Sequence, residues 1–223
     1  MEHFRVCRFR DTVTGQFYGH THYDDVQIFY DKDSQPFNVA YVGPSVTPFV
    51  GINPAYRVYT MDADTKPFDP TETHNSPGVL ASSKPPCCGI ICGRFAMPEV
   101  LDYTTHYLDL LSANAFDQPR WLELYSAKTA YKMDDLSPKS WSSWVSKLIW
   151  SNDAFQTHYR HFHRNSQFFR QCNDKECKRE RLCTIVTADT SDPTPCLRIV
   201  AELERYYFLQ GVQLPNTVLL GGR

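Results

Sequence analysis

Between residues 12 and 62 the apolar positions recur every second residue. "TVTGQFYG" sets Val13 and Phe17 against polar neighbours, "DVQIFYD" puts Val26, Ile28 and Tyr30 on one face, and "FNVAYV" does the same with Phe37, Val39 and Tyr41. A period of two is the mark of a half-buried β-strand. "YRVYTMD" supplies another short run, and the turn-forming stretches "DKDSQP" and "GPSVTPFVGINP" punctuate the series. Strands at this spacing fit one sheet of an α/β or β-sandwich core. Residues 63–98 break the pattern: they are rich in Pro, Ser and Thr with no sustained period, and read as an irregular insertion. After them "VLDYTTHYLDLL" alternates Leu101, Tyr103, Thr105 and Tyr107, which favours a strand over the alternative of a helix.

From residue 120 the period becomes helical. Trp121, Leu124, Tyr125 and Lys128 make one stripe. Ser137-Pro138 reads as an N-cap followed by proline in the first helical position. Trp141, Trp144, Val145 and Leu148 then fall at i, i+3, i+4 and i+7, an amphipathic helix with a large aromatic face. "NDAFQTHYRHFH" predicts a third helix with Phe155, Tyr159 and Phe162 inward, and the cysteine-bearing stretch beyond it one or two more. The expected organisation is a β-rich front (1–62), an insertion (63–98), a returning strand and linker (99–119), a helical subdomain (120–196) and an extra tail (197–223): a mixed α/β chain of the α+β kind.

Composition narrows the functional classes. A hydrophobic content of 42% with 22% charged residues is that of an ordinary soluble globular protein, and 223 residues can bury a substantial core. A formal net charge of −2 argues neither for a nucleic-acid footprint nor for a strongly acidic partner, and no nucleic acid is expected as a partner. No apolar run approaches the length that spans a bilayer, and the opening "MEHFRVCRFR" lacks the apolar core of a signal peptide.

The cysteines point elsewhere. Cys172, Cys177, Cys183 and Cys196 cluster in a polar, turn-rich stretch, which suggests disulfides in an oxidising compartment or else a small zinc site. Disulfides are favoured. Cys172–Cys177 and Cys183–Cys196 would close loops worth about 2 and 3 kcal/mol, and so short a stretch has no core to hold it unaided. A secreted-type cysteine pattern without a secretion signal leads to the expectation that the natural protein starts further upstream. Cys87, Cys88 and Cys92 do not match a zinc-knuckle spacing and read as incidental thiols of a mobile loop; Cys7 reads as a buried or free thiol.

The candidate chemistry lies in "QFYGHTH". On an ideal strand His20 and His22 share a side, and Gly19 would let the backbone turn sharply and approach an ion closely. Neutral imidazole suits zinc or iron. The plainer alternative makes both histidines hydrogen-bonding turn residues. A second histidine set, His158, His161 and His163, has an i, i+3 pair that could share a metal. No carboxylate or cysteine completes it and Arg160 and Arg164 would repel a cation, so a solvated or core-edge role is expected there.

With both the H-x-H pair and the cysteine pattern in view, the chain resembles the C-terminal portion of the acid sphingomyelinases, members of the calcineurin-like metallophosphoesterase superfamily. The likeness runs from "EHFRVCRFRDTVTGQFYGHTH" through "VAYVGPSVTPFVGINPAYRVYTMD" and "VLDYTTHYLDLL", and resumes in "WLELYSAKTAY", "SPKSWSSWVSKLIW" and "DAFQTHYRHFHR". The last three cysteines of the set keep the family's x5 and x12 spacings. "GHTH" is shared across the superfamily, whereas "GINPAYRVY" and "FQTHYRHFH" are closer to acid sphingomyelinase than to its nucleotide-cleaving relatives. Residues 63–98 and the end after Cys196 fall outside the likeness.

The resemblance implies the last strands of a metallophosphoesterase β-sandwich followed by a helical, disulfide-stapled subdomain. It implies a pair of zinc ions about 3.5–4 Å apart, with His20 and His22 each ligating one, and hydrolysis of sphingomyelin at a membrane surface to ceramide and phosphocholine. It places Phe49 near the choline headgroup, a core anchor being the alternative for that ring. The other metal ligands, the catalytic acid histidine and a saposin-like domain would lie in a missing N-terminal half, so no catalytic residue is expected in this chain. Two histidines cannot hold a zinc pair against water, since catalytic sites use three or more protein ligands per ion, and the isolated chain is expected to be inactive. The full-length protein would be lysosomal or secreted. A nucleotide or other phosphodiester hydrolase is one rival reading; a non-catalytic module binding lipid or a partner through the helices around Trp141 and Trp144 is another.

Overall fold

The computed structural model describes Val13, residues 15–62 and residues 99–211. The expected insertion at 63–98, Cys7, Cys87, Cys88, Cys92 and the last residues of the chain lie outside that set. Strands β1 (Gln16–Tyr18), β2 (Asp25–Tyr30), β3 (Pro36–Val42) and β4 (Ala55–Met61) come first, then β5 (Val100–Leu108), helix α1 (Leu110–Phe116), β6 (Trp121–Ser126) and helices α2 (Ala127–Tyr131), α3 (Pro138–Trp150), α4 (Asn152–Phe162), α5 (Lys175–Val186) and α6 (Thr194–Leu209). The α/β class is therefore as expected. The single sheet is not: the strands form two three-stranded sheets, ordered β1-β3-β2 and β4-β5-β6. β1 runs parallel to β3, and every other pairing is antiparallel.

Trp121–Ser126 departs from the helical expectation. It forms β6, paired with β5 from Leu108↔Trp121 to Thr104↔Ser126, and the helix starts only at Ala127. Six residues rich in Trp, Leu and Tyr fit either period, and the free edge of β5 decides in favour of the strand. The expected limit of the helical region at 196 also falls inside an element: α6 runs from Thr194 to Leu209 and buries Ile199 and Leu203. Further back the local signals hold. Ser137 caps α3, its hydroxyl accepting the Ser140 N–H at 3.2 Å with Pro138 in the first turn. Asp174 caps α5 through the Cys177 N–H at 2.7 Å.

One core joins both sheets to the helices. α3 lies against β2 and β3, and α5 against β2. Val26, Ile28, Val39 and Tyr41 of the first sheet meet Trp141, Trp144, Val145 and Leu148 of α3 and Leu182 and Ile185 of α5. Tyrosines bridge the two sheets: Tyr41 stands edge-on to Tyr59 at 5.8 Å and to Tyr103 at 6.1 Å, and Tyr103 stacks on Trp141 at 6.3 Å. Trp141 and Trp144 are fully buried, so α3 does not offer its aromatic face to lipid or to a partner. Disulfides join Cys172 to Cys177 and Cys183 to Cys196, the second tying α5 to α6.

Candidate metal-binding loop

His20 and His22 lie in the connection between β1 and β2, beyond the end of the strand at Tyr18. Strand alternation therefore does not bring them together. Both take left-handed backbone angles, φ 81° at His20 and 69° at His22, while Gly19 does not. The expected division of labour is reversed: the turn is made by the histidines and not by the glycine before them. Left-handed backbone costs an L-residue about 1–2 kcal/mol, and such strain persists only where the surroundings hold it in place.

The surroundings do. The two residues that follow the loop, Asp24 and Asp25, are buried and aim in opposite directions, as successive residues entering a strand do. Asp24 accepts from Arg57 of β4 and from the Tyr125 hydroxyl at 2.8 Å, and its N–H donates to the Phe162 carbonyl at 3.2 Å. Asp25 accepts from Arg181 of α5 through both carboxylate oxygens, the Nη1–Oδ2 bond measuring 3.1 Å. Both guanidinium groups also lie over aromatic faces, Arg57 over Tyr103 at 4.0 Å and Arg181 over Phe162 at 3.9 Å. Burial opposes the charge on Arg57, but the Asp24 carboxylate and the tyrosines around it outweigh this and hold the group protonated. The histidine loop is thus fastened to both sheets and to the helical region. The arginine partners were not anticipated from the sequence; two adjacent aspartates directly ahead of an apolar strand were the available signal.

His20 is exposed and His22 half-buried. His22 Nδ1 is buried without a hydrogen-bond partner among the described residues, the state of an imidazole nitrogen left free to donate to an ion. The donor chemistry of the pair fits zinc. Among the described residues no group of three or more His, Cys, Asp or Glu side chains stands together as a ligand set.

Phe49 sits in a 3-10 turn (Phe49–Gly51), and its ring and that of His22 meet in a T-shaped arrangement with centroids 5.5 Å apart. At 67% exposure it is not a core anchor.

The second histidine set is neither solvated nor a ligand group. His158, His161 and His163 are all buried. His158 Nε2 accepts from Arg181 Nε at 3.1 Å, and His161 Nδ1 meets the Tyr131 hydroxyl at 3.2 Å while its ring stacks on Tyr125 at 4.0 Å. Burial first, and Arg181 second, push His158 well below the usual imidazole range. Burial lowers His161 and His163 to about 4. On α4 the inward residues are therefore Phe155, His158 and His161, with Tyr159 and Phe162 only partly covered. The short side of the imidazole ring fits between tyrosines where a second large apolar side chain was expected.

Residues 93–202 match the family model described as the acid sphingomyelin phosphodiesterase C-terminal region. The chain is 35% identical over 188 residues to sphingomyelin phosphodiesterase 1 of Caenorhabditis elegans, covering 82% of this chain and 27% of that protein. It is 30% identical over 200 residues to the Bos taurus sphingomyelin phosphodiesterase, covering 88% of this chain and 27% of the relative. It is also 30% identical over 192 residues to the mouse cyclic GMP-AMP phosphodiesterase SMPDL3A, covering 86% of this chain and 37% of that protein. The chain spans about a quarter of the length of the sphingomyelin phosphodiesterases it matches.

Proposed function

Because this chain carries the C-terminal region of the acid sphingomyelin phosphodiesterase family, we propose that it is the C-terminal part of a zinc-dependent phosphodiesterase that cleaves sphingomyelin to ceramide and phosphocholine. The observation that carries the reading is the strained His20-Thr21-His22 turn, with His22 Nδ1 buried and unpartnered among the described residues. His20 and His22 would hold zinc, each serving one ion of a pair whose further ligands come from the rest of the protein. When bound, such a pair supplies Lewis acidity toward the phosphodiester and makes water a stronger nucleophile. This chain's own part is positional. The Asp24–Arg57 and Asp25–Arg181 pairs fix the loop on which the imidazoles stand, and Phe49 holds an exposed aromatic ring beside His22, whose face would suit the quaternary ammonium of choline. The paired cysteines suit an oxidising compartment, lysosomal or secreted. By itself the chain would be inactive, since the described residues gather no set of three ligands for either ion.

The 30% identity to SMPDL3A supports a second reading, in which the phosphodiester belongs to a cyclic dinucleotide. Both are tested with the full-length protein and its His20→Ala and His22→Ala variants. Zinc content is measured by mass spectrometry, and hydrolysis is followed on sphingomyelin vesicles and on cyclic GMP-AMP. Each variant is expected to lose about one of two zinc ions per polypeptide and nearly all turnover. Unchanged zinc content in both variants would sink the ligand assignment, and turnover of the nucleotide alone would transfer the reading to the second substrate.

A further inference from the structure

The loop that carries Phe49 is held by a turn 119 residues further along the chain. We propose that this turn, residues 164–166, is a positioning element for the site and that Arg164 is its key residue, so that the helical region governs where Phe49 stands relative to His22. The inference rests on the proposed function only in taking Phe49 to flank the substrate.

The loop is closed at its base where the Ala55 N–H donates to the Ser45 carbonyl at 2.9 Å. Its fastenings to the turn then fall on both sides of Phe49. On the near side the Arg164 guanidinium donates through Nη1 to the same Ser45 carbonyl. On the far side the Ser166 hydroxyl donates to the Gly51 carbonyl at 2.9 Å. Two residues on, Asn53 Nδ2 donates to the carbonyls of Arg164 at 3.2 Å and Asn165 at 3.3 Å, while its Oδ1 accepts the Leu110 N–H at 3.3 Å. Asn165 in turn donates to the Tyr107 hydroxyl at 3.1 Å. Between these clamps Gly51 takes φ 76°, a conformation glycine adopts freely and other residues only with strain.

Stability alone does not account for Arg164. It is fully buried, yet Nε and Nη2 find no partner among the described residues, and an under-satisfied buried cation is a poorer stabiliser than an apolar side chain of the same volume. Arg164 and Asn165 are also consecutive non-glycine residues in left-handed conformation, φ 55° and 54°. Both features are costs, and both are explained if the turn is retained for where it places the loop. A buried polar contact of fixed geometry supplies register where apolar packing supplies only burial.

The test uses the ring current of Phe49 on the His22 imidazole. In the 223-residue chain the His22 ring proton shifts are measured by NMR in wild type, Phe49→Leu, Arg164→Met and the milder Arg164→Lys and Ser166→Ala. His158, held by Arg181 and Trp144 with no contact to the turn or to the Phe49 loop among the described residues, serves as the internal control. Arg164→Met is expected to move the His22 signals at least half-way to their Phe49→Leu positions with His158 unmoved, and Arg164→Lys to restore part of the difference. His22 signals that stay in place in a folded Arg164 variant overturn the proposal, as does equal movement of His158. Should Arg164→Met fail to fold, Arg164→Lys and Ser166→Ala decide by the same criterion. In the full-length protein Arg164→Lys is expected to raise KM several-fold, in the same direction as Phe49→Ala, with kcat within twofold. A shifted His22 signal with unchanged KM also overturns it. Absence of hydrolysis by the wild-type full-length protein would count against the phosphodiesterase reading instead, and the NMR arm would still decide the role of Arg164.

Discussion

Acidification should unfold this chain through the histidines of α4 and its C-cap. His161 and His163 are buried and lowered to about 4 from an ordinary value of 6.5, the first by burial only partly offset by Asp24, the second by burial only partly offset by a hydrogen bond to the Tyr159 carbonyl. The folded state therefore binds fewer protons than the unfolded state between pH 4 and 6.5. Stability is complete above that window and falls as pH drops through it. At about pH 4.5 each group contributes a loss of about 2.5 kcal/mol, so the two together remove about 5 kcal/mol, a large share of the ordinary stability of a domain. His158, displaced in the same direction, adds to this. The assay is urea unfolding at several pH values between neutral and acidic, followed by tryptophan fluorescence, which reports the site directly because Trp144 lies 5.0 Å from the His158 ring. His161→Gln keeps a polar group for the Tyr131 hydroxyl and does not titrate. It is expected to reduce the pH-dependent loss by about 2.5 kcal/mol. Equal stability at neutral and acidic pH, or an unaltered pH slope in His161→Gln, would refute the reasoning. In an acidic compartment the two disulfides, which restrict the unfolded chain by about 2 and 3 kcal/mol, would offset a penalty of the same size.

Two further outcomes are expected. Arg57→Met strands the buried Asp24 carboxylate and should cost about 3–5 kcal/mol in urea unfolding, whereas Asp24→Asn with Arg57→Met should recover part of that loss; a cost below about 1 kcal/mol would assign the pair a surface-like role. Replacing Cys183 and Cys196 together by alanine should lower stability by about 3 kcal/mol, and the Cys172, Cys177 pair by about 2 kcal/mol, because the loops they close differ in length. Equal losses from both pairs would show that chain entropy is not the governing effect.

What could be read from the chain alone was what neighbouring residues decide among themselves. The period-two runs became β2 and β3, Ser137 and Pro138 opened α3, the helical period around Trp141 became its buried face, and the cysteine spacing gave both bridges. The H-x-H pair was also legible as a candidate, since a motif is a local pattern. Three matters depended on partners far away in sequence. β6 is a strand because β5 lends it an edge. Asp25 meets Arg181 across 156 positions, and Arg164 reaches the Ser45 carbonyl across 119. His20 and His22 acquire their left-handed backbone from a loop stretched between anchors that only the packed sheets and helices supply. Local preference is a sum over adjacent residues and appears in any short window. Buried charge pairs and loop geometry arise only once distant segments have been brought together and water removed from between them.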